Sequence, residues 1–187
     1  HLNVMDGEGN TVSSTQTING WMGSGVVAGN TGVVMNNEMD DFSIKPGTAN
    51  LYGALGGEKN AIAPRKRPLS SMSPTIVFQG GEPVLALGSP SGTRIISCVA
   101  QVIANRLIFN LPLFESVATI RYHHQWMPDE IRVDAPGFPA ITRAALEKRG
   151  YKINESNLGC RVSAVERRDG LLQGVADPRG EGISAGE

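Results

Sequence analysis

The sequence lacks long apolar runs and has almost no net charge, and these two absences exclude whole classes of protein. No apolar stretch approaches the roughly 20 residues that a membrane-spanning helix needs. The formal net charge is -1 at pH 7, so the chain has no basic excess with which to neutralise nucleic-acid phosphates. The densest basic run, residues 65–67, is short, and we interpret it as a solvated loop. We therefore expect neither a membrane segment nor a nucleic-acid partner.

Signatures of metal and cofactor sites are also missing. No HExxH, P-loop or GxGxxG motif stands in a suitable context. The chain has 2 cysteines and 3 histidines, and none of them shows the spacing of a zinc site. Cys98 lies in an apolar stretch, which predicts a buried thiol. His123 and His124 are adjacent and would point to opposite faces of a strand, which favours a structural role. We expect no metal and no cofactor.

What the sequence does contain is a pattern typical of one α+β domain. Its 187 residues are 40% hydrophobic and 19% charged, as in an ordinary globular protein. Runs of β-branched residues around glycine-containing turns predict antiparallel hairpins, whose faces helices must cover. The predicted elements are hairpins at 2–18, 75–87 and 161–176, a further strand at 32–35, helices at 95–107, 112–120 and 140–149, and a long loop at 42–64.

Four short polar segments could carry chemistry, although each alone also fits an ordinary turn or cap. Thr17 and Asn19 would put two polar side chains on one face of a strand. The carboxylates of residues 36–42 suit an ammonium group or a cation, and a solvated turn is the alternative. Residues 68–74 offer hydroxyls and amides that could hold a carboxylate. Residues 88–94 precede a predicted helix, so their free N–H groups could bind an anion or an oxyanion, or simply cap the helix.

In this order, the segments resemble the γ-glutamyltransferase family. Residues 36–43 resemble its NNxMDDFS signature, and residues 67–75 resemble its RPLSSMSPT signature. The segments at 17–19, 88–94, 123–126 and 177–179 also follow in the family order. The resemblance covers essentially the whole chain.

The resemblance implies a fold, a partner and a reaction. The fold is that of an N-terminal-nucleophile hydrolase, with two stacked antiparallel sheets between helical layers. Residues 1–187 would be the small subunit, one half of a domain that a large subunit from the same precursor completes. The family's small subunit opens Thr-Thr-His, so we expect two threonines just before His1, and the precursor would cut itself before the first of them. That threonine would attack glutathione or another γ-glutamyl compound, and water, an amino acid or a peptide would resolve the ester.

The resemblance also implies the residues of the site. Thr17 would orient the nucleophile, and Ser91 and Gly92 would form the oxyanion hole. Asn19, Glu38 and Asp41 would hold the donor α-ammonium, whereas Ser70 and Ser71 would hold its α-carboxylate. Tyr52 would be the lid residue that closes over the donor pocket. Ser91 stands where the family usually has glycine. If the turn needs a positive φ, the serine would strain it.

Two other functions stay open. An acylase of the same superfamily could remove a glutaryl group from a cephalosporin, but a glutaryl donor has no ammonium to pair with Glu38 and Asp41. A non-catalytic homologue could bind γ-glutamyl ligands without a nucleophile. A threonine just before His1 would favour the enzyme. The resemblance further implies a periplasmic or extracellular location.

Overall fold

The computed structural model describes residues 1–186, and a four-stranded antiparallel sheet lies at its centre. The strands are β1 (Leu2–Met5), β2 (Thr11–Ser14), β3 (Thr75–Gln79), β4 (Glu82–Gly88), β5 (Tyr122–His123), β6 (Ile131–Val133), β7 (Ile153–Glu155), β8 (Ser163–Arg168) and β9 (Leu171–Val175). The α-helices are α1 (Ile95–Ile103), α2 (Leu113–Ala118) and α3 (Ala140–Lys148). Three 3-10 turns lie at Glu38–Asp41, Glu58–Asn60 and Gly92–Arg94, and a π-helical turn at Ala104–Ile108 extends α1.

The central sheet has the strand order β3-β4-β8-β9, and each neighbouring pair is antiparallel. The predicted hairpins β3–β4 and β8–β9 form around Gly80-Gly81 and Asp169-Gly170. Strands β5, β6 and β7 form a smaller sheet, in which β6 and β7 are parallel. The α+β class predicted from the sequence is confirmed.

Both faces of β4 are covered over most of its length, which explains why most of its residues are apolar. Leu85 and Leu87 belong to the core cluster beneath α1 and α2. Ala86 points to the opposite face by strand alternation, and there the β1–β2 hairpin packs against β4 and β8. Asn3 Nδ2 in β1 donates a hydrogen bond to the carbonyl oxygen of Ser163 at 2.9 Å. The start of the chain is therefore tied to the middle of the sheet.

A disulfide joins α1 to the segment before β8. Cys98 and Cys160 are 0% and 1% exposed, and their sulfurs are bonded. The sequence prediction of a buried thiol at Cys98 was thus right about burial and wrong about the thiol. The two cysteines are 62 residues apart, so no local spacing reveals the pair. Only the packing of α1 against residues 158–162 brings them together.

Some predicted strands are shorter than expected or absent. β2 ends at Ser14, so Thr17 lies in irregular chain rather than on a strand face. Residues 32–35 form no regular strand, because their antiparallel contact with residues 24–28 consists of one bridge, Val27 to Val34, and a few backbone hydrogen bonds. The three predicted helices form with bounds changed by a few residues. The long loop is confirmed, since residues 42–64 contain only one 3-10 turn.

Buried ions anchor the segment that leads into β8. Arg121 is fully buried, and its Nη2 donates to Asp177 Oδ2 at 2.6 Å. The backbone N–H of Val162 donates to the same oxygen at 2.9 Å, and Arg179 N donates to Asp177 Oδ1 at 3.0 Å. Burial alone would raise the pKa of Asp177, but the pairing with Arg121 and these N–H donors outweigh burial and lower it. Asp177 therefore remains an anion.

Asp134 holds the other end of the same segment. Its Oδ1 accepts the N–H of Leu158 at 3.0 Å, and its Oδ2 lies 3.4 Å from Arg179 Nε. Residues 158–162 are thus fixed at both ends by carboxylates that arginines neutralise. This segment forms part of the wall of the site described below.

Asp177→Asn should destabilise the protein strongly, because it leaves Arg121 buried without its closest anion. We expect a loss of about 3–5 kcal/mol in the free energy of unfolding, measured by urea denaturation at neutral pH. The folded-state pKa of Asp177 is lowered, so its contribution is present above the ordinary value of 3.8 and is lost as the pH falls through the folded-state pKa.

The matched control is Asp169→Asn, the same substitution at a carboxylate whose side chain is 90% exposed. We expect a change within about 0.5 kcal/mol there. Equal effects of the two substitutions, or a difference that does not shrink in acid, would contradict the anchoring role of Asp177.

Candidate active site

One open groove holds all nine residues that the sequence singled out. Its volume is about 1190 Å³. The nine residues in its wall are Thr17, Asn19, Glu38, Asp41, Tyr52, Ser70, Ser71, Ser91 and Gly92. Segments from five parts of the chain meet there, so the fold brings together what the sequence shows only as separate motifs.

The acidic wall of the groove is built on the 3-10 turn at Glu38–Asp41. Burial and the neighbouring Asp41 carboxylate raise the pKa of Glu38 to about 7, while the nearby Thr17 hydroxyl acts in the opposite direction. Glu38 Oε1 is buried and has no hydrogen-bond partner within residues 1–186. Two adjacent carboxylates, one with an unsatisfied oxygen, favour a cationic ligand at this wall.

Thr17 and Asn19 reach the groove from a turn. The backbone N–H of Asn19 donates to Thr17 Oγ1 at 2.7 Å. Asn19 has a φ of 69°, a left-handed conformation that asparagine tolerates better than most residues. Its Nδ2 donates to the carbonyl oxygen of Asn37 at 3.2 Å. This turn, rather than a continuation of β2, places both side chains beside the acidic wall.

Ser70 and Ser71 form a polar wall in an extended segment between two prolines. Ser70 Oγ accepts the backbone N–H of Met72 at 3.2 Å, which leaves its own hydroxyl proton free to donate into the groove. Hydroxyl donors of this kind can bind a carboxylate.

The turn before α1 forms a third wall. Ser91 and Gly92 have φ values of 120° and 55°, and the 3-10 turn Gly92–Arg94 runs directly into α1. The first N–H groups of such a turn have no intrahelical partner, and the positive end of the helix dipole lies behind them. The arrangement can stabilise an oxyanion. The turn does require positive φ, so Ser91 is strained where a glycine would not be.

Tyr52 closes over this turn. Its hydroxyl donates to the carbonyl oxygen of Asn19 at 2.8 Å. Its ring lies so close to Gly92 that a Cβ at Gly92 would collide with it. Burial raises the pKa of Tyr52, and the carboxylates of Asp41 and Glu38 raise it further. The hydroxyl therefore stays protonated and keeps its hydrogen bond.

A network around Gln125 was missed by sequence reasoning. Gln125 Oε1 lies 2.9 Å from both Thr93 Oγ1 and His123 Nε2, and its Nε2 donates to the carbonyl oxygen of Tyr52 at 3.3 Å. Burial lowers the pKa of His123, in keeping with a structural role, and His124 is exposed. The only sequence signal was that residues 123–126 follow the family order.

Within residues 1–186, no group of three or more His, Cys, Asp or Glu side chains is placed to hold a metal ion. The helices described there are too short or too polar to cross a membrane.

Comparison with known proteins decides the family. The family model described as gamma-glutamyltranspeptidase matches residues 1–187. The chain belongs to this family. A similar relative is the glutathione hydrolase proenzyme of Escherichia coli (strain K12), which is 47% identical over 96% of this chain. The chain spans only 31% of the length of that relative.

Solved structures support the same family. The γ-glutamyltranspeptidase from Pseudomonas nitroreducens, solved in complex with L-DON, has a TM-score of 0.96 and 42% identity, covering 100% of this chain and 98% of that chain. The cephalosporin acylase from Bacillus halodurans is more distant, with a TM-score of 0.75, 27% identity and coverage of 87% of this chain and 29% of that chain. The fold of N-terminal-nucleophile hydrolases is thereby confirmed.

Glu38 should titrate near neutral pH. In carbon-13 NMR of the side-chain carboxyl, we expect a midpoint of about 7 rather than the ordinary 4.5. Asp41→Asn should lower that midpoint only in part, because burial is the larger cause and remains. An ordinary midpoint in the wild type would contradict the description of the acidic wall.

Proposed function

We propose that this chain is the small subunit of an enzyme that transfers or hydrolyses the γ-glutamyl group of glutathione and related compounds. One observation carries the proposal. The acidic wall with its unpartnered Glu38 oxygen faces the same groove as the hydroxyls of Ser70 and Ser71. The head of a γ-glutamyl donor carries an α-ammonium and an α-carboxylate, and these two walls match those two charges.

Asn19, Glu38 and Asp41 would hold the ammonium. Ser70 and Ser71 would hold the carboxylate, and Tyr52 would cover the bound donor. The γ-amide would then extend toward the turn at Ser91 and Gly92, whose N–H groups would stabilise the tetrahedral oxyanion.

The nucleophile is the hydroxyl of the first of the two threonines that we expect just before His1. His1 is held in the groove wall, because its Nδ1 lies 2.7 Å from Thr15 Oγ1 and its Nε2 lies 3.0 Å from Asn3 Oδ1. The two threonines expected before His1 therefore start from the groove wall, and Thr17 would orient the hydroxyl of the first.

The chemistry needs no cofactor. The threonine oxygen attacks the γ-carbonyl carbon while the α-amine of the threonine takes the hydroxyl proton. The C–N bond breaks, the proton passes to the leaving amine, and a γ-glutamyl ester remains. Water, an amino acid or a peptide then attacks the ester carbonyl and returns the threonine hydroxyl.

A large subunit from the same precursor would complete the domain. The E. coli relative is named a proenzyme, and this chain spans 31% of its length, and both facts support this arrangement. Leu2, Val4 and Val12 on the outer face of the β1–β2 hairpin are each more than half exposed, which supports a covering layer from another chain. The buried disulfide supports a periplasmic or extracellular location, because such bonds persist in oxidising compartments.

A glutaryl acylase is the second candidate, favoured only by the structural likeness to the Bacillus halodurans enzyme. A glutaryl donor has no ammonium, so it would leave Glu38 and Asp41 without a charged partner in a desolvated wall. The charges of the groove therefore favour the γ-glutamyl donor.

Asp41→Asn separates the two candidates. For a γ-glutamyl donor, loss of the carboxylate–ammonium contact should cost about 2–5 kcal/mol, a decrease in kcat/KM of roughly thirtyfold to several thousandfold. A glutaryl donor should lose much less. The measurement is kcat/KM for both donors with the mature wild-type and variant enzymes.

Asp40→Asn is the matched control in the same turn. Asp40 lies outside the groove, and its oxygens accept the N–H of Leu51 at 3.1 and 3.3 Å. An asparagine keeps one acceptor for that bond, so kcat/KM for both donors should stay near the wild-type values. An equal decrease for both donors in Asp41→Asn would show that Asp41 is structural.

A further inference from the structure

We propose that the Cys98–Cys160 disulfide and the Ser91 hydroxyl together hold the oxyanion turn in its working conformation. We call the contact of Ser91 with Leu158, together with this disulfide, the clamp. The proposal rests on the proposed function, since it assigns a purpose to the turn at Ser91 and Gly92. It makes both cysteines positioning residues rather than catalytic ones.

The need for a clamp comes from the backbone of Ser91. Its φ of 120° lies in a region that glycine enters freely and that residues with a Cβ rarely adopt. A conformation of this kind persists only where the surrounding structure enforces it. Relaxation of Ser91 would rotate the peptide groups on either side of it, including the N–H of Gly92.

One carbonyl oxygen supplies the restraint. The Ser91 hydroxyl donates to the carbonyl oxygen of Leu158, and Arg94 Nη1 donates to the same oxygen at 3.3 Å. The next residue, Gly159, allows this close approach, because a Cβ there would lie 2.9 Å from Ser91 Oγ. The turn is therefore pinned to residues 158–159 from both of its ends.

Leu158 can restrain the turn only if Leu158 itself stays in place. The disulfide from Cys160 returns to Cys98 in α1, the helix that the turn begins. The path from Ser91 through α1 to Cys98, across to Cys160 and back through Leu158 is thus a closed ring. Without the disulfide, that ring opens and residues 158–160 can move away from α1.

The burial of both sulfurs makes this tie permanent. Cys98 and Cys160 are 0% and 1% exposed, so an attacking thiolate cannot reach them in the folded protein. This matters for an enzyme whose donor, glutathione, is itself a thiol. The disulfide is accordingly a fixed restraint rather than a redox switch.

The clamp acts on the end of the groove where charge develops, not where the donor head binds. Weakening it should therefore lower kcat and leave KM nearly unchanged. Replacing Ser91 by glycine removes the strain, so the clamp should then matter much less. A decrease in kcat that depends on the residue at position 91 distinguishes positioning of the oxyanion turn from general stabilisation of the fold.

The test uses the mature two-subunit enzyme made from the full precursor, with kcat and KM for a γ-glutamyl anilide measured per active site titrated by a covalent label. Ser91→Ala keeps the Cβ and loses the hydroxyl, and it should lower kcat about five- to tenfold. Ser91→Gly loses the hydroxyl and the strain together, so its kcat should be several times that of Ser91→Ala. This pair leaves the disulfide intact, so it tests the role of the Ser91 hydroxyl even if cysteine variants do not fold.

The disulfide is then tested with Cys98→Ala/Cys160→Ala, alone and combined with Ser91→Gly. We expect a decrease in kcat of about tenfold or more in the first variant and a much smaller one in the triple variant. Val99→Ala, a truncation of a buried neighbour in the same helix, is the control for loss of core packing. It should lower the melting temperature without lowering kcat.

Three results would contradict the clamp. The first is a wild-type kcat in Ser91→Ala, and the second is an equal decrease in kcat on cysteine replacement with and without Ser91→Gly. The third is that the cysteine variants change the melting temperature but not kcat. An inactive wild-type enzyme would instead reject the proposed function, and the catalytic role of the clamp with it.

Discussion

The antiparallel pairing of β4 with β8 is the constraint on which the groove depends. Its register sets Gly88, the last residue of β4, opposite Ser163, the first residue of β8. The turn that follows β4 and the segment that precedes β8 therefore emerge at the same end of the sheet. Asn3 donates to the carbonyl oxygen of Ser163, so the start of the chain reaches that end too. The ring of His1 lies against Gly88, where a Cβ would collide with it.

Several kinds of interaction keep this end of the sheet rigid while leaving it polar. The carboxylates of Asp134 and Asp177 bind the backbone of residues 158–162, and the disulfide ties the same residues to α1. These restraints are buried, so solvent screens them little. The groove beyond them carries negative charge at the Glu38–Asp41 turn and free N–H groups at the turn before α1. Such polarity orients a ligand that is cationic at one end and develops negative charge at the other.

Much of this organisation could be predicted from the sequence because its signals are local. The hairpins at β3–β4 and β8–β9 follow from β-branched runs around glycine turns, and the helices follow from apolar periodicity. The nine residues of the groove lie in short contiguous motifs that resemble one family. They line one groove, and their individual roles stay predictions.

What escaped prediction depends on contacts between distant residues. The bond between Cys98 and Cys160 spans 62 residues, and the hydrogen bonds of Gln125 to Thr93 and Tyr52 join separate loops. The strands predicted over 15–18 and 32–35 do not form as regular strands. Their β-branched residues favour extended chain, but residues 15–18 pair with no strand, and residues 32–35 make only a short contact with residues 24–28.

The most direct test of the account is to find the covalent intermediate. The mature protein is mixed with a γ-glutamyl donor, quenched in acid, digested and analysed by peptide mass spectrometry. We expect one γ-glutamyl group in ester linkage on the first of the two threonines expected before His1, and its loss when an amino acid acceptor is added before quenching. A γ-glutamyl group on Ser70, Ser71 or Ser91, or no residue with a hydroxyl or thiol before His1, would contradict it.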